Sequence, residues 1–146
     1  MTFQRVTFTD EAIADLQDLA DRDRRLLVEA MRIAKKVDEG TISMKQLQRF
    51  TKTGDLSDCS RVYFGVEEGE STHRMVLREV APDTDTPTEL GEAAAVEVVE
   101  VIAVAERADD VAYLLTSLRL GRLDDDPLLK ADAKRKIATA RKKKAR

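Results

Sequence analysis

The stretch VEVIAVAERADDVAY, residues 99–113, decides the fold. Together with Val98 it forms a nearly continuous apolar run, which is typical of a central β-strand covered on both faces. Asp109 or Asp110 then supplies the N-cap of a following helix. The apolar run ends at Arg107, six residues before Tyr113, so the segment predicts a buried strand with a charged side chain at its end.

The segment before residue 41 predicts a strand and two helices. Phe3, Val6 and Phe8 alternate as in a short strand. Thr9 is a good N-cap, and apolar residues then recur at helical spacing as far as a polar break at residues 21–23. A second helical pattern ends at Gly40, a residue favoured just after a helix. The two segments indicate a helical hairpin.

The middle of the chain predicts two further strands. CSRVYFGVEE (59–68) alternates between apolar and polar residues, and HRMVLREV (73–80) follows after a short turn. This spacing favours an antiparallel hairpin. Residues 81–95, with two prolines, predict a loop, and a final helical pattern ends at Gly121.

This order predicts an α+β fold in which a small antiparallel sheet packs against an N-terminal helical hairpin, with a C-terminal helix. We expect one domain over residues 1–123 and a basic tail over residues 124–146. Leu128, Leu129 and Ile137 are too few to build a core in the tail, so we expect an appendage.

The charge is polarised along the chain. Residues 130–146 hold nine Lys and Arg against one Asp, whereas the rest holds 16 basic and 27 acidic residues. Basic segments attract nucleic acid through counterion release, so the tail from Lys130 to Arg146 is a candidate nucleic-acid contact. The acidic body is unusual for a nucleic-acid enzyme.

The chain lacks the residues that several classes of protein chemistry require. One cysteine and one histidine supply neither a disulfide framework nor a zinc site, and there is no glycine-rich phosphate loop or G-x-S-x-G motif. We therefore expect no metal and no cofactor. No apolar run reaches the length of a membrane span, and we expect a soluble cytoplasmic protein without a membrane partner.

Three arginines lie on or at the ends of predicted strands: Arg61, Arg74 and Arg107. Long cations on rigid strands are costly to bury unless they meet anions. One interpretation is that they pair with neighbouring glutamates on a solvated face of the sheet, such as Glu67, Glu79 and Glu106. The other is that they bind an external anion.

The order of elements, with LSDCSRVYF (56–64), HRMVL (73–77) and VEVIAVAERADDVAY, resembles the RelE/ParE superfamily of type II toxins, and most closely its RelE branch. The resemblance covers roughly residues 3–122. It implies a ribosome-dependent mRNA endoribonuclease that cuts without metal, by attack of the ribose 2′-hydroxyl on the adjacent phosphate. The implied partners are a cognate antitoxin protein, the ribosome and mRNA.

The resemblance also implies roles for four catalytic residues. Arg61 would polarise the 2′-hydroxyl, Arg74 would bind the phosphate, and Arg107 would stabilise the transition state. Tyr113 would stack on or orient the substrate nucleotide. The candidate substrate-binding residues are Tyr63, His73, Arg49 and Lys52.

Two positions depart from the family's pattern. Tyr63 stands where a second basic strand residue is usual, and His73 replaces an aromatic residue. Tyr63 and the acidic body favour an alternative, a non-catalytic interaction protein of the same fold, such as a ParE-like inhibitor of DNA gyrase or a toxin-like module without RNase activity. A third possibility is that the tail binds nucleic acid and the domain is only its scaffold.

Overall fold

The computed structural model describes residues 3–50, 54–66, 71–80 and 98–144. The helices are α1 (Asp10–Arg22), α2 (Arg24–Glu39), α3 (Val111–Arg119) and α4 (Pro127–Lys144). The strands are β1 (Val6–Phe8), β2 (Lys45–Gln46), β3 (Arg49–Phe50), β4 (Gly54–Asp55), β5 (Cys59–Phe64), β6 (His73–Val80) and β7 (Val98–Glu106). Helices cover both faces of the main sheet: α1 and α2 on one face, α3 and α4 on the other.

The predicted helical hairpin is confirmed, and its ends are set by local capping. The Thr9 hydroxyl accepts a hydrogen bond from the Ala12 amide at 3.1 Å, which satisfies a free donor at the start of α1. Asp23 caps α2 in the same way, through the Arg25 amide at 3.0 Å. Gly40 ends α2 in the left-handed conformation, at φ 73°.

The main sheet has the strand order β1-β7-β6-β5-β2, with β3 and β4 forming a separate two-stranded ladder. The predicted antiparallel pairing of β5 with β6 is confirmed, and β7 lies inside the sheet as its apolar run indicates. The expectation of a purely antiparallel sheet is wrong at β1, which pairs with β7 in parallel. Alternation at Val6 and Phe8 reveals a buried side, but carries no information on strand direction.

A β-bulge in β7 changes which residues face each helical layer. Val76 pairs with Ala103 and Leu77 pairs with Val101, so Ile102 is the extra residue. Val101, which precedes the bulge, packs with the α1–α2 layer, whereas Ala103 and Ala105, which follow it, pack with the α3–α4 layer. After the bulge, the side chains of the odd-numbered residues of β7 therefore point toward α3.

One buried ion pair satisfies the backbone at this bulge. Asp15 of α1 accepts hydrogen bonds from the Val104 amide at 2.9 Å and from both terminal nitrogens of Arg119, at 2.6 and 2.8 Å. Arg119, at the end of α3, also donates to the Ile102 carbonyl at 2.9 Å. The pair thus joins α1, the bulge of β7 and α3.

The basic segment after residue 124 forms a helix that packs on the domain. Ala133, Ile137 and Ala140 of α4 are buried in the same cluster as α3, at the i, i+4 and i+7 positions of one face. Ile137 thus adds to the core cluster of the domain and does not form a separate core in the tail. Two small alanines beside one isoleucine let α4 approach α3 closely, a pattern that the count of large apolar residues does not reveal. The predicted loop over residues 81–95 lies outside the described residues.

Candidate anion-binding site

Strand alternation brings three of the predicted residues to the sheet face that α3 covers. Arg61 and Tyr63 lie on β5 at the same parity as the buried Cys59, and Tyr63 pairs directly with Arg74 on β6. Arg74 in turn pairs with Ala105 of β7. Side chains at paired positions point to the same face, so Tyr63 and Arg74 are neighbours across the strands.

Tyr113 reaches the same face from the first turn of α3. Its ring lies under the Arg74 guanidinium, with the central carbon 4.0 Å from the ring centroid. The same guanidinium lies 5.6 Å from the Tyr63 ring. Both distances are in the range of a cation–π contact. Arg74 is therefore held between two aromatic rings, and its side chain is only 9% exposed.

Two further arginines surround Tyr63. The guanidinium carbon of Arg61 lies 4.0 Å from the Tyr63 ring centroid, and that of Arg107 lies 4.8 Å away. Arg107 follows directly after β7, and its backbone N–H donates to the Thr72 carbonyl at 2.9 Å, which fixes the start of its side chain beside β6. We call the set of Arg61, Tyr63, Arg74, Arg107 and Tyr113 the arginine–tyrosine cluster.

The glutamate beside Arg107 does not neutralise this cluster. Glu106 has the opposite parity on β7, and its carboxylate pairs with Arg22 of α1 at 2.9 Å. Within the described parts of the chain, neither Arg61 nor Arg107 forms a salt bridge. Both cations are at least partly exposed to solvent. The cluster is therefore positively charged and accessible.

One carboxylate does reach the cluster. Asp110 lies 3.2 Å from a terminal nitrogen of Arg74. The sequence predicts Asp109 or Asp110 as the cap of α3, and Asp110 does occupy the N-cap position, but its side chain makes no cap hydrogen bond. Both aspartates have left-handed backbones, at φ 58° and 56°. The distant partner on β6 competes for the carboxylate that would otherwise cap α3.

His73 does not join the cluster. It precedes Arg74 on β6 and therefore points to the opposite face, where its ring lies 5.5 Å from that of Phe64. Its Nδ1 atom is hydrogen-bonded to the Thr72 hydroxyl at 2.9 Å. The predicted role of His73 in substrate binding is not compatible with a ligand on the α3 side of the sheet.

The two remaining predicted residues lie on the segment before β5. Arg49 begins β3, and its backbone pairs with Asp55 of β4. Lys52 lies outside the described residues. Their predicted contact with substrate stays a prediction.

Burial raises the pKa of two groups near the cluster, the Tyr113 phenol and the Cys59 thiol. Burial raises the pKa of the Tyr113 phenol above its usual value of 10, although the cations of Arg74 and Arg61 oppose this effect. Burial likewise raises the pKa of the Cys59 thiol to about 12, which makes this buried cysteine a poor nucleophile at neutral pH. Tyr113 is therefore a hydrogen-bond donor near neutral pH, not a base.

The described residues contain no group of three or more His, Cys, Asp or Glu side chains placed to hold a metal ion. A shallow cleft of about 370 Å³ is lined by residues including Gln46, Asp58 and Glu79, at the other end of the β5–β6 pair from Tyr63. Among the described helices, none has both the length and the apolar character needed to cross a membrane.

The fold and the cluster define a small α+β protein with a cationic and aromatic surface on one face of its sheet. The chain belongs to the family described as an uncharacterized protein domain, DUF2202, whose model matches residues 2–105. The match includes Arg61, Tyr63 and Arg74 but ends before Arg107 and Tyr113. No curated protein and no solved structure matches the chain.

Proposed function

We propose that the protein is the toxin of a type II toxin–antitoxin system and acts as a RelE-like, ribosome-dependent mRNA endoribonuclease. The observation that carries this proposal is the convergence of three guanidinium groups on Tyr63, at 4.0, 4.8 and 5.6 Å from its ring centroid. Like charges repel, so evolution of such a cluster is explained most simply by an anionic ligand.

The chemistry of the cluster fits a phosphodiester beside a base. A guanidinium presents a planar fork of N–H donors that can bind two phosphate oxygens, and it stays charged at all relevant pH values. Aromatic faces stack on nucleotide bases irrespective of their sequence. Tyr63 therefore offers a surface for a base, while Arg61 and Arg107 on its two sides offer donors to the neighbouring phosphates.

The proposed reaction balances without a metal. The ribose 2′-oxygen loses its proton to solvent and attacks the adjacent phosphorus. The bond from phosphorus to the 5′-oxygen breaks, and that oxygen takes up a proton from solvent, so the products are a 2′,3′-cyclic phosphate and a 5′-hydroxyl. Arg107, the most exposed of the three arginines, stabilises the charge that develops on the non-bridging oxygens. Arg61 polarises the 2′-hydroxyl, and the protonated phenol of Tyr113 donates a hydrogen bond in the same space.

A second function, a non-catalytic interaction protein of the same fold, is favoured by one observation. The 2′-hydroxyl must lose a proton, but the only histidine lies on the opposite face of the sheet and the carboxylate in the cluster is paired with Arg74. Among the described residues this surface thus offers cations but no unpaired base, which suits recognition of an acidic partner, such as a DNA-associated enzyme. An antitoxin protein that covers the cluster is compatible with either function.

Primer extension on an mRNA translated in the presence of the purified protein separates the two functions. The endoribonuclease gives new 5′ ends, and Arg107→Ala removes them. Arg32→Ala is the matched control, because Arg32 is an exposed arginine of α2 that pairs with Glu29. Intact mRNA together with accumulation of DNA breaks in expressing cells would instead support the interaction protein.

A further inference from the structure

The turn that joins β7 to α3 has an unusual backbone. Asp109 (φ 58°, ψ 20°) and Asp110 (φ 56°, ψ 26°) both adopt the left-handed conformation. This region is unfavourable for L-residues, and Asp and Asn visit it mostly as single residues. Two left-handed residues in a row therefore need a compensating interaction elsewhere.

The compensating interaction is the contact of Asp110 with Arg74. At the start of α3 an aspartate would normally cap the helix, yet Asp110 forms no cap hydrogen bond and instead accepts one from the Arg74 Nη1 atom at 3.2 Å. The Asp110 carboxylate thus contacts a buried cation instead of capping α3, and the backbone of the turn is held in an unfavourable conformation.

Arg74 retains unused capacity to bind an anion. Asp110 engages it through one oxygen only, and the Nε atom of Arg74 is buried without a hydrogen-bond partner among the described residues. An unsatisfied donor on a charged buried group is costly. A phosphate can present two oxygens to the guanidinium, which a carboxylate held by the backbone of this turn does not do.

We infer that Asp110 is an internal competitor for phosphate at Arg74, and that it determines the affinity of the arginine–tyrosine cluster for anionic ligands. Its side chain is 56% exposed, so it lies on the solvent side of Arg74, in the path of an incoming ligand. A phosphate group must displace this carboxylate to reach the buried guanidinium. The inference rests on the proposed function only in taking an RNA phosphate as the natural ligand.

Inorganic phosphate is the probe, and tyrosine fluorescence is the readout. The chain has two tyrosines and no tryptophan, and both tyrosines contact Arg74, so emission reports on the cluster alone. Asp110→Asn removes the charge but keeps a residue that tolerates the left-handed backbone. Asp109→Asn is the matched control: it makes the same charge change on the same kind of backbone, one residue away.

We expect Asp110→Asn to bind phosphate about tenfold more tightly than wild type, the effect of freeing one charge-assisted hydrogen bond. Asp109→Asn should change the affinity by about twofold at most, through screened charge alone. Asp110→Gly, which removes the carboxylate and favours the same backbone, should behave like Asp110→Asn and protects the test against a folding defect. Equal affinities in the Asp109 and Asp110 variants would overturn the inference.

RNA cleavage, measured on the same variants, separates this inference from the proposed function. Cleavage that depends on Arg107, combined with equal phosphate affinities, would sink the competitor role and leave the function standing. Tighter phosphate binding by Asp110→Asn, with no cleavage by any variant, would retain the competitor role and refute the endoribonuclease.

Discussion

Replacing Asp15 with Asn should destabilise the protein strongly, because Asp15 is one half of a buried ion pair. Its side chain is 6% exposed and that of Arg119 is 16% exposed. The carboxylate accepts three hydrogen bonds, at 2.6, 2.8 and 2.9 Å. The substitution keeps the shape of the side chain but leaves the Arg119 cation without its counter-charge at the centre of the three-layer structure.

The expected loss follows from that geometry. Removal of one partner from a buried ion pair costs about 3 to 5 kcal/mol, and the residual amide oxygen puts this case near 3 kcal/mol. Domains of this kind are stable by about 5 to 15 kcal/mol, so the loss is a substantial fraction of the whole. Urea denaturation measures it as a lower midpoint with an unchanged slope.

Asp18 provides the control on the same helix. It lies three residues further along α1, is 45% exposed, and pairs with Arg22 at 3.2 Å on the surface. Exposed pairs contribute little, so Asp18→Asn should lower the stability by less than about 1 kcal/mol. If Asp15→Asn and Asp18→Asn had the same effect, the reasoning about the buried pair at the bulge would be refuted.

Two predictions concern pH. The Asp38 carboxylate accepts hydrogen bonds from the Arg5, Val6 and Gln4 amides. These bonds, above all the one from Arg5, lower the pKa of Asp38 below 3.8. The stabilising contribution of Asp38 is therefore present above that pH and is lost as the pH falls through the lowered pKa. The urea midpoint should therefore fall less between pH 6 and 3, roughly, in Asp38→Asn than in wild type; an equal fall would contradict this role. Tyr113 has a raised pKa, so its contribution is complete below pH 10 and is lost as the pH rises from there through the raised value. Tyrosinate absorbance of a Tyr63→Phe variant should show Tyr113 ionising above pH 10, and ionisation at or below 10 would show that its ring is not buried.

The elements of the fold that local sequence determines were predictable. Thr9 and Gly40 mark helix ends through side-chain capping and backbone freedom, which depend only on neighbouring residues. The parallel pairing of β1 and the bulge at Ile102 were not predictable. Each depends on contacts between segments about 90 residues apart, such as Val6 with Val99 and Asp15 with Val104. The alternation of apolar and polar residues along one strand does not indicate such distant contacts.

The candidate site was also predictable only in part, because some of its residues depend on contacts between distant segments. Arg61 and Arg74 stand out in the sequence as cations on rigid strands, whereas Tyr113 follows only from the family resemblance; the sheet register and α3 bring the three together. Arg107 joins them only because the bulge shifts the parity of β7, which the sequence does not reveal. His73 lies on the opposite face because it precedes Arg74 on β6. The contact of Asp110 with Arg74 was missed because a helix cap is the commoner use of an aspartate at that position.

The chemical identity of the cut RNA ends tests the central claim most directly. We predict that the protein, in the presence of a metal chelator and translating ribosomes, leaves a 2′,3′-cyclic phosphate on the upstream fragment and a 5′-hydroxyl on the downstream fragment. Arg107→Ala should leave the mRNA intact, whereas Arg32→Ala should cut as wild type does. Intact mRNA with the wild-type protein, or cut ends that carry a 3′-hydroxyl and a 5′-phosphate, would contradict cleavage by 2′-hydroxyl attack in the arginine–tyrosine cluster.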